Sequence, residues 1–186
     1  LPWIRFIYRK RLAPINLIHN IFDKPVVVLL YHRVNYLNRD LFNINVTPDN
    51  FERHIRILKN HYNVVTFNDL KRKDIKEPSV IITFDDGYYD NYKYAFPILK
   101  KYQVPATIFI TSGGVDTGKE FWWDRLETIL FENKNLRESI ELDISNQRHV
   151  FDVSDDKKRL HSFYTLHHIL FSLHPNERDM MLDRWY

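Results

Sequence analysis

Two carboxylates stand side by side in the stretch VIITFDDG, residues 80–87. Val80 to Phe84 suit a buried strand, and that strand runs directly into Asp85, Asp86 and Gly87. Adjacent like charges are unfavourable unless an opposite charge lies between them. Neighbouring side chains at a strand end point in different directions. One carboxylate can therefore bind a cation while the other stays free to take a proton, and the cation removes the repulsion. Gly87 lets the chain turn sharply, close to a ligand. The plainer alternative is a turn at Asp86-Gly87 with Asp85 capping a helix.

The surrounding elements are those of a parallel β/α arrangement. PVVVLLYHRV, residues 25–34, reads as a buried strand that brings Tyr31 and His32 to its C-terminal end. Thr47 and Pro48 open a helix whose Phe51, Ile55 and Leu58 share one face. A short strand at 63–67 and a short helix from Asn68 follow. After the Asp-Asp-Gly stretch a helix is expected from Tyr88 to Tyr102, divided or kinked by Pro97. PATIFITSGG, residues 105–114, reads as a further buried strand that opens into a Gly-Gly loop. Strands and helices in alternation indicate a parallel sheet or barrel. Catalytic groups in such folds sit at the C-terminal strand ends, which is where Asp85 and His32 fall.

The rhythm changes after Gly114. FWWDRLETILFEN reads as a helix with Leu126, Ile129 and Leu130 inward. ESIELDI and RHVFDVS alternate strictly and read as a hairpin. Ser154 is expected to cap a helix that presents Leu160, Phe163, Tyr164, His167, Leu170 and Phe171 on one face, and Pro175 starts the last helix. The organisation expected is an N-terminal segment at 1–24, a β/α portion at 25–114 and an inserted α+β segment at 115–186.

Composition narrows the functions. The chain has 186 residues and no cysteine, which excludes disulfides, thiolate nucleophiles and cysteine-ligated zinc. Its net charge of +3 comes without a dense basic block, which argues against a nucleic-acid binder. The first residues, LPWIRFIYRKRL, read as a packing segment with snorkelling Arg5, Arg9, Lys10 and Arg11. The same composition also fits association with an anionic membrane surface. Aromatics reach 15% of the chain, so some rings are available to stack on sugars. Tyr88 and Tyr89, directly after Gly87, are candidates for that role, with packing beneath the next helix as the alternative. Trp122 and Trp123 divide in the same way between core and glycan contact.

TFDDG followed by YYDNYKYAFPILKKYQVPATIFITSG resembles the polysaccharide deacetylases, the NodB-homology group of carbohydrate esterase family 4. LLYHRV, NVTPDNFERHIRILK and VVTFNDL upstream, and FWWDRLE downstream, extend the resemblance. It implies a partial, deformed (β/α) barrel that removes acetyl groups, usually N-acetyl, from a polysaccharide or oligosaccharide. It also implies that Asp85 is the general base and Asp86 a ligand of a divalent metal, commonly zinc. His32 would face the same rim without being assigned to the metal.

The chain departs from that family in the rest of the metal site. The family places two histidines in a His-Ser/Thr-x-x-His pattern on a later strand, whereas HSFYT at 161–165 ends in Thr165 and lies in a helical pattern. His161, His167 and His168 therefore read as ordinary helix residues. The later Arg-x-Pro-Tyr-like and Leu-x-His-like stretches are absent as well. The expectation is an N-terminal piece of a longer enzyme, whose metal site is incomplete in these residues. A carbohydrate-binding relative without catalysis is the alternative. A magnesium-dependent phosphate hydrolase would also use paired aspartates, but it accounts for none of the surrounding resemblance.

Overall fold

A computed structural model of the chain describes residues 26–71, 78–115, 117–144 and 147–185. The basic N-terminal segment with Arg5, Arg9, Lys10 and Arg11 lies outside the described residues. The chain divides into two compact units between Thr111 and Ser112. Both are mixtures of helix and strand, and the first is a parallel α/β arrangement.

In the first unit, strand β1 spans Val26–Tyr31, β2 Arg33–Val34 and β3 Asn45–Val46. Helix α1 spans Pro48–His61, followed by β4 at Asn63–Val64, α2 at Phe67–Lys71 and β5 at Ser79–Phe84. A π-helical turn at Asn91–Ala95 leads into α3, Phe96–Tyr102, and then β6, Thr107–Ile108. β5 is the axis of the sheet, buried at all six positions. β1 runs parallel to it over its whole length, from Val26 opposite Ser79 to Tyr31 opposite Phe84. On the other edge of β5, β4 pairs with its first residues and β6 with its last, both parallel.

The core lies on one face of that sheet. Val80, Ile82 and Phe84 of β5 pack against Phe51, Ile55 and Leu58 of α1 and against Ala95 and Leu99. The expected helical face is therefore the packed one. Thr47 caps α1 by accepting from the Asn50 N–H, and Pro48 needs no intrahelical donor at the first position. Pro97 falls in the first turn of α3, directly after the π turn. The helix is thus divided there: proline cannot donate, and its ring crowds the preceding turn.

Three strand expectations are corrected. β1 is not buried throughout: Val28 and Leu30 are 51% and 54% exposed, while Leu29 and Tyr31 face the core. Among the described residues β1 has a ladder partner on one edge and packing on one face. β6 is only two residues long, and its Ile108 and the following Phe109 and Ile110 are exposed. The strand at 63–67 stops at Val64, because the Asp69 carboxylate accepts from both the N–H and the hydroxyl of Thr66 and starts a helix at Phe67.

In the second unit, α4 spans Trp122–Phe131, β7 Ser139–Ile144, β8 Gln147–Asp152, α5 Asp156–Phe171 and α6 Pro175–Trp185. β7 and β8 form the expected antiparallel hairpin, with Ile140 opposite Phe151 and Leu142 opposite His149. Leu126, Ile129 and Leu130 are buried as expected. The cap of α5 is Asp155, which accepts from the Lys158 N–H, while the Ser154 hydroxyl donates to Asp152. The buried face of α5 is Ser162, Phe163, Leu166 and Leu170, and Leu160, Tyr164 and Phe171 are exposed. Two bonds to the end of the hairpin set this rotation: Ser162 Oγ donates to the Asp152 carbonyl and Arg159 Nε to that of Val153, both at 2.9 Å.

Candidate active site

The polar end of β5 is assembled from single hydrogen bonds. The Asp85 N–H donates to the Tyr31 carbonyl at 2.9 Å, which extends the β1–β5 pairing one residue past the strand. The chain then turns through two successive left-handed residues, Asp86 at φ 70° and Gly87 at φ 75°. The Gly87 N–H closes the turn on the Asp85 carbonyl at 2.9 Å, and the Thr111 N–H donates to the Asp86 carbonyl at 3.3 Å.

Gly87 is required on two counts. Its φ is unfavourable for any L side chain, and a Cβ there would meet Ile110 Cγ2 at 2.6 Å and Ile110 Cα at 3.2 Å. Asp86 adopts the same region with a side chain, at a cost of roughly 1–2 kcal/mol. Backbone held in that state next to paired carboxylates is the kind of strain found at functional sites.

His32 follows the last residue of β1 and lies beside this turn. His32, Asp85 and Asp86 are all half-buried. Burial pushes the Asp86 carboxyl up from its ordinary value, the neighbouring His32 draws it partly back, and Asp85 adds a further push upward. The structure thus brings together three of the residues singled out from sequence. Beneath them, the Tyr31 hydroxyl lies 3.2 Å from His54 Nδ1, and burial pushes the Tyr31 phenol up to about 12. Tyr31 packs on Phe51 and Phe84, and its burial favours the neutral phenol.

The two tyrosines separate. Tyr88 takes the packing alternative: it is 8% exposed, and the Arg33 guanidinium covers its ring at 4.3 Å from the centroid. Tyr89 is 73% exposed and begins a row of rings that continues through Tyr92 to Phe96.

Residues 72–140 match the family model described as polysaccharide deacetylase. This segment of the chain is similar to the polysaccharide deacetylases. The Bacillus subtilis protein YxkH, named as a polysaccharide deacetylase, is 41% identical over 96 residues, which is 47% of this chain and 33% of that protein. The poly-beta-1,6-N-acetyl-D-glucosamine N-deacetylase of Staphylococcus aureus is 36% identical over 110 residues, 50% of this chain and 38% of that enzyme. Among solved structures, IcaB from Ammonifex degensii is 28% identical, with a TM-score of 0.47 over 57% of this chain and 49% of that one. The matches to the two curated relatives span little more than a third of their length.

The matched segment holds Asp85, Asp86 and Gly87, and His32 precedes it. A zinc site needs three protein ligands and an open position for water. Among the described residues no group of three or more His, Asp or Glu side chains gathers in a way that could hold a metal. Among the described residues the rim does not form a metal site by itself.

The histidines of the second unit have other surroundings. His161 and His168 are exposed on α5. His161 keeps its place in the helix, its carbonyl accepting from the Thr165 hydroxyl at 3.1 Å. His167 stacks on Trp122 at 4.7 Å. Arg178 also lies over the Trp122 ring, at 4.6 Å, and Trp123 stacks on Phe121 at 4.7 Å, so both tryptophans are half-buried packing residues.

Sequence reasoning missed Arg33 and Asp90. The Asp90 carboxylate, 5% exposed, accepts from Arg33 Nε at 2.9 Å, from the Val34 N–H at 3.2 Å and from Asn35 Nδ2 at 3.4 Å. Their charges lie within YHRV and YYDNY, 57 positions apart. Only the parallel pairing of β1 with β5 brings them together.

Proposed function

We propose that the protein removes acetyl groups, of the N-acetyl kind, from an amino-sugar polymer. The observation that carries this reading is the strained Asp85-Asp86-Gly87 turn at the C-terminal end of β5, beside His32 and inside the matched segment. The architecture fits the first portion of a deformed β/α barrel, with residues 115–186 as an insertion. Such folds place chemistry at strand C-termini.

Asp85 acts as the general base. It takes a proton from a water molecule as the water oxygen attacks the acetyl carbonyl carbon. The tetrahedral intermediate collapses with cleavage of the C–N bond, the nitrogen takes up the proton, and acetate and a free amine leave. Asp86 serves as one ligand of a divalent cation, zinc in the simplest case, with the other donors coming from outside the described residues. When bound, such an ion lowers the pKa of water and polarises the carbonyl. Asp86 takes a left-handed backbone that Asp85 does not, which supports different tasks for the two carboxylates. Exposed Tyr89 offers a ring face to a sugar.

The test is acetate release by the full-length protein from acetylated β-1,6-linked glucosamine oligomers, together with its metal content. Wild type is expected to release acetate. Asp86→Asn is expected to lose metal and turnover together. Oligomer binding without acetate release at any divalent metal would reject the enzyme and favour a carbohydrate-binding relative.

A further inference from the structure

We propose that Asp90 is a positioning residue of this site: it closes a frame that fixes His32 against the Asp85-Asp86 turn. The inference rests on the deacetylase reading for its catalytic consequence and on the geometry alone for its structural part.

Two chain segments leave the sheet side by side. One runs from Tyr31 through His32 to Val34, and the other from Phe84 through Asp85, Asp86 and Gly87 to Asp90. At their base they are joined by the Asp85 N–H donating to the Tyr31 carbonyl at 2.9 Å. Beyond that bond the β1–β5 ladder is finished. The segments are joined again by Asp90, whose Oδ1 accepts from the Val34 N–H and whose Oδ2 accepts from Arg33 Nε. His32, Asp85 and Asp86 lie between these two junctions. The ring is small, three residues past Tyr31 on one side and five past Asp85 on the other. Its interior can shift little while both ends hold.

Asp90 has no other evident duty. It lies within the helical run that enters the π turn, and its side chain makes no capping hydrogen bond there. Both oxygens serve the other segment instead. Arg33 adds a second tie, because its guanidinium also lies over the ring of Tyr88, the residue after Gly87. The turn is held from its other side by the Thr111 N–H and by Ile110 against Gly87. A carboxylate 5% exposed with a guanidinium 21% exposed is a partly desolvated pair, stiffer than surface pairs. Small displacements at a reacting centre lower rates steeply, so the frame should act on kcat.

The experiment uses the full-length protein as wild type, Asp90→Asn, Asp90→Ala and Arg33→Lys. Asp90→Asn can still accept from the Val34 N–H but loses the charge; it keeps the test valid should Asp90→Ala not fold. Site-resolved hydrogen exchange is measured at Gly87, Thr111 and Ile82, and kcat and KM on acetylated β-1,6-linked glucosamine oligomers. The expected result for Asp90→Asn is faster exchange at Gly87 and Thr111, by a clearly larger factor than at Ile82. With it, kcat should fall about tenfold or more while KM stays within about twofold. Arg33→Lys should give a smaller change in the same direction. Equal acceleration at Ile82 would mean general destabilisation and would overturn the proposal, as would unchanged exchange at Gly87 with unchanged kcat. A wild-type protein without turnover would reject the deacetylase reading, and the exchange data would then decide the frame on their own.

Discussion

The two units of the chain differ in where they place their paired carboxylates. In the first, the Arg33–Asp90 pair is withdrawn from solvent, and Asp85 and Asp86 share a half-buried rim with His32. In the second, Lys158 with Asp152 and Arg148 with Glu141 meet as largely exposed pairs, and the buried side chains are mostly apolar. Exposed pairs contribute little to stability because water solvates the separated charges almost as well. A buried carboxylate persists only when its partners are held for it. The contrast lies in the carboxylates: Asp90 is withdrawn from solvent, whereas Asp179 and Asp183, which pair with the half-buried Arg125, are exposed.

That contrast can be broken by mutation, and the largest effect is expected at Asp90. Asp90→Ala removes the carboxylate that accepts from Arg33 and from the Val34 N–H. It should destabilise the first unit by about 3 kcal/mol, discounted from wholly buried pairs because Arg33 is partly solvated. Chemical denaturation would show it. Gly87→Ala comes next: the left-handed backbone and the contact with Ile110 should together cost about 2 kcal/mol or more. A wild-type melting curve for Gly87→Ala would mean that the turn is more yielding than its geometry implies.

Acid should affect both units through one half-buried histidine in each. Burial holds His54 and His167 below their ordinary value of 6.5, and His168 pushes His167 further down. Below about pH 6.5 the unfolded chain takes up protons that the folded chain refuses. Their contribution is thus complete above that pH and is lost as pH falls towards the folded-state values. Melting temperature measured from pH 7.5 to 5 should fall less steeply in His54→Phe and His167→Phe than in wild type. The smallest effect is expected at Lys158. Lys158→Ala removes its contacts with Asp152 and Asp155, yet should move Tm by no more than about 2 °C. A larger shift would erase the distinction drawn between the units.

Much of this was legible in the residues, for identifiable reasons. Phe51, Ile55 and Leu58 recur at helical spacing, and that periodicity is imposed by the face they bury. Asp85-Asp86-Gly87 stood out because no packing demand explains two carboxylates after an apolar strand. Where the reading failed, the deciding term was not local. β1 and β6 are as apolar as strands buried on both faces, but composition does not say which faces are covered among the described residues. On α5 the apolar residues admit two neighbouring faces, and the bonds from Ser162 and Arg159 to the hairpin select between them. The Asp90 frame was invisible for the same reason, since it joins residues that are distant in sequence and adjacent only after the sheet has formed.

The account depends most directly on Asp85. In the full-length protein, Asp85→Asn keeps the shape of the turn and removes the proposed base. Acetate release from acetylated glucosamine oligomers should fall by about a thousandfold, within the range that a positioned base contributes, while metal content and oligomer affinity stay near wild type. Turnover within a few-fold of wild type, or metal lost in step with activity, would contradict the division of roles between Asp85 and Asp86.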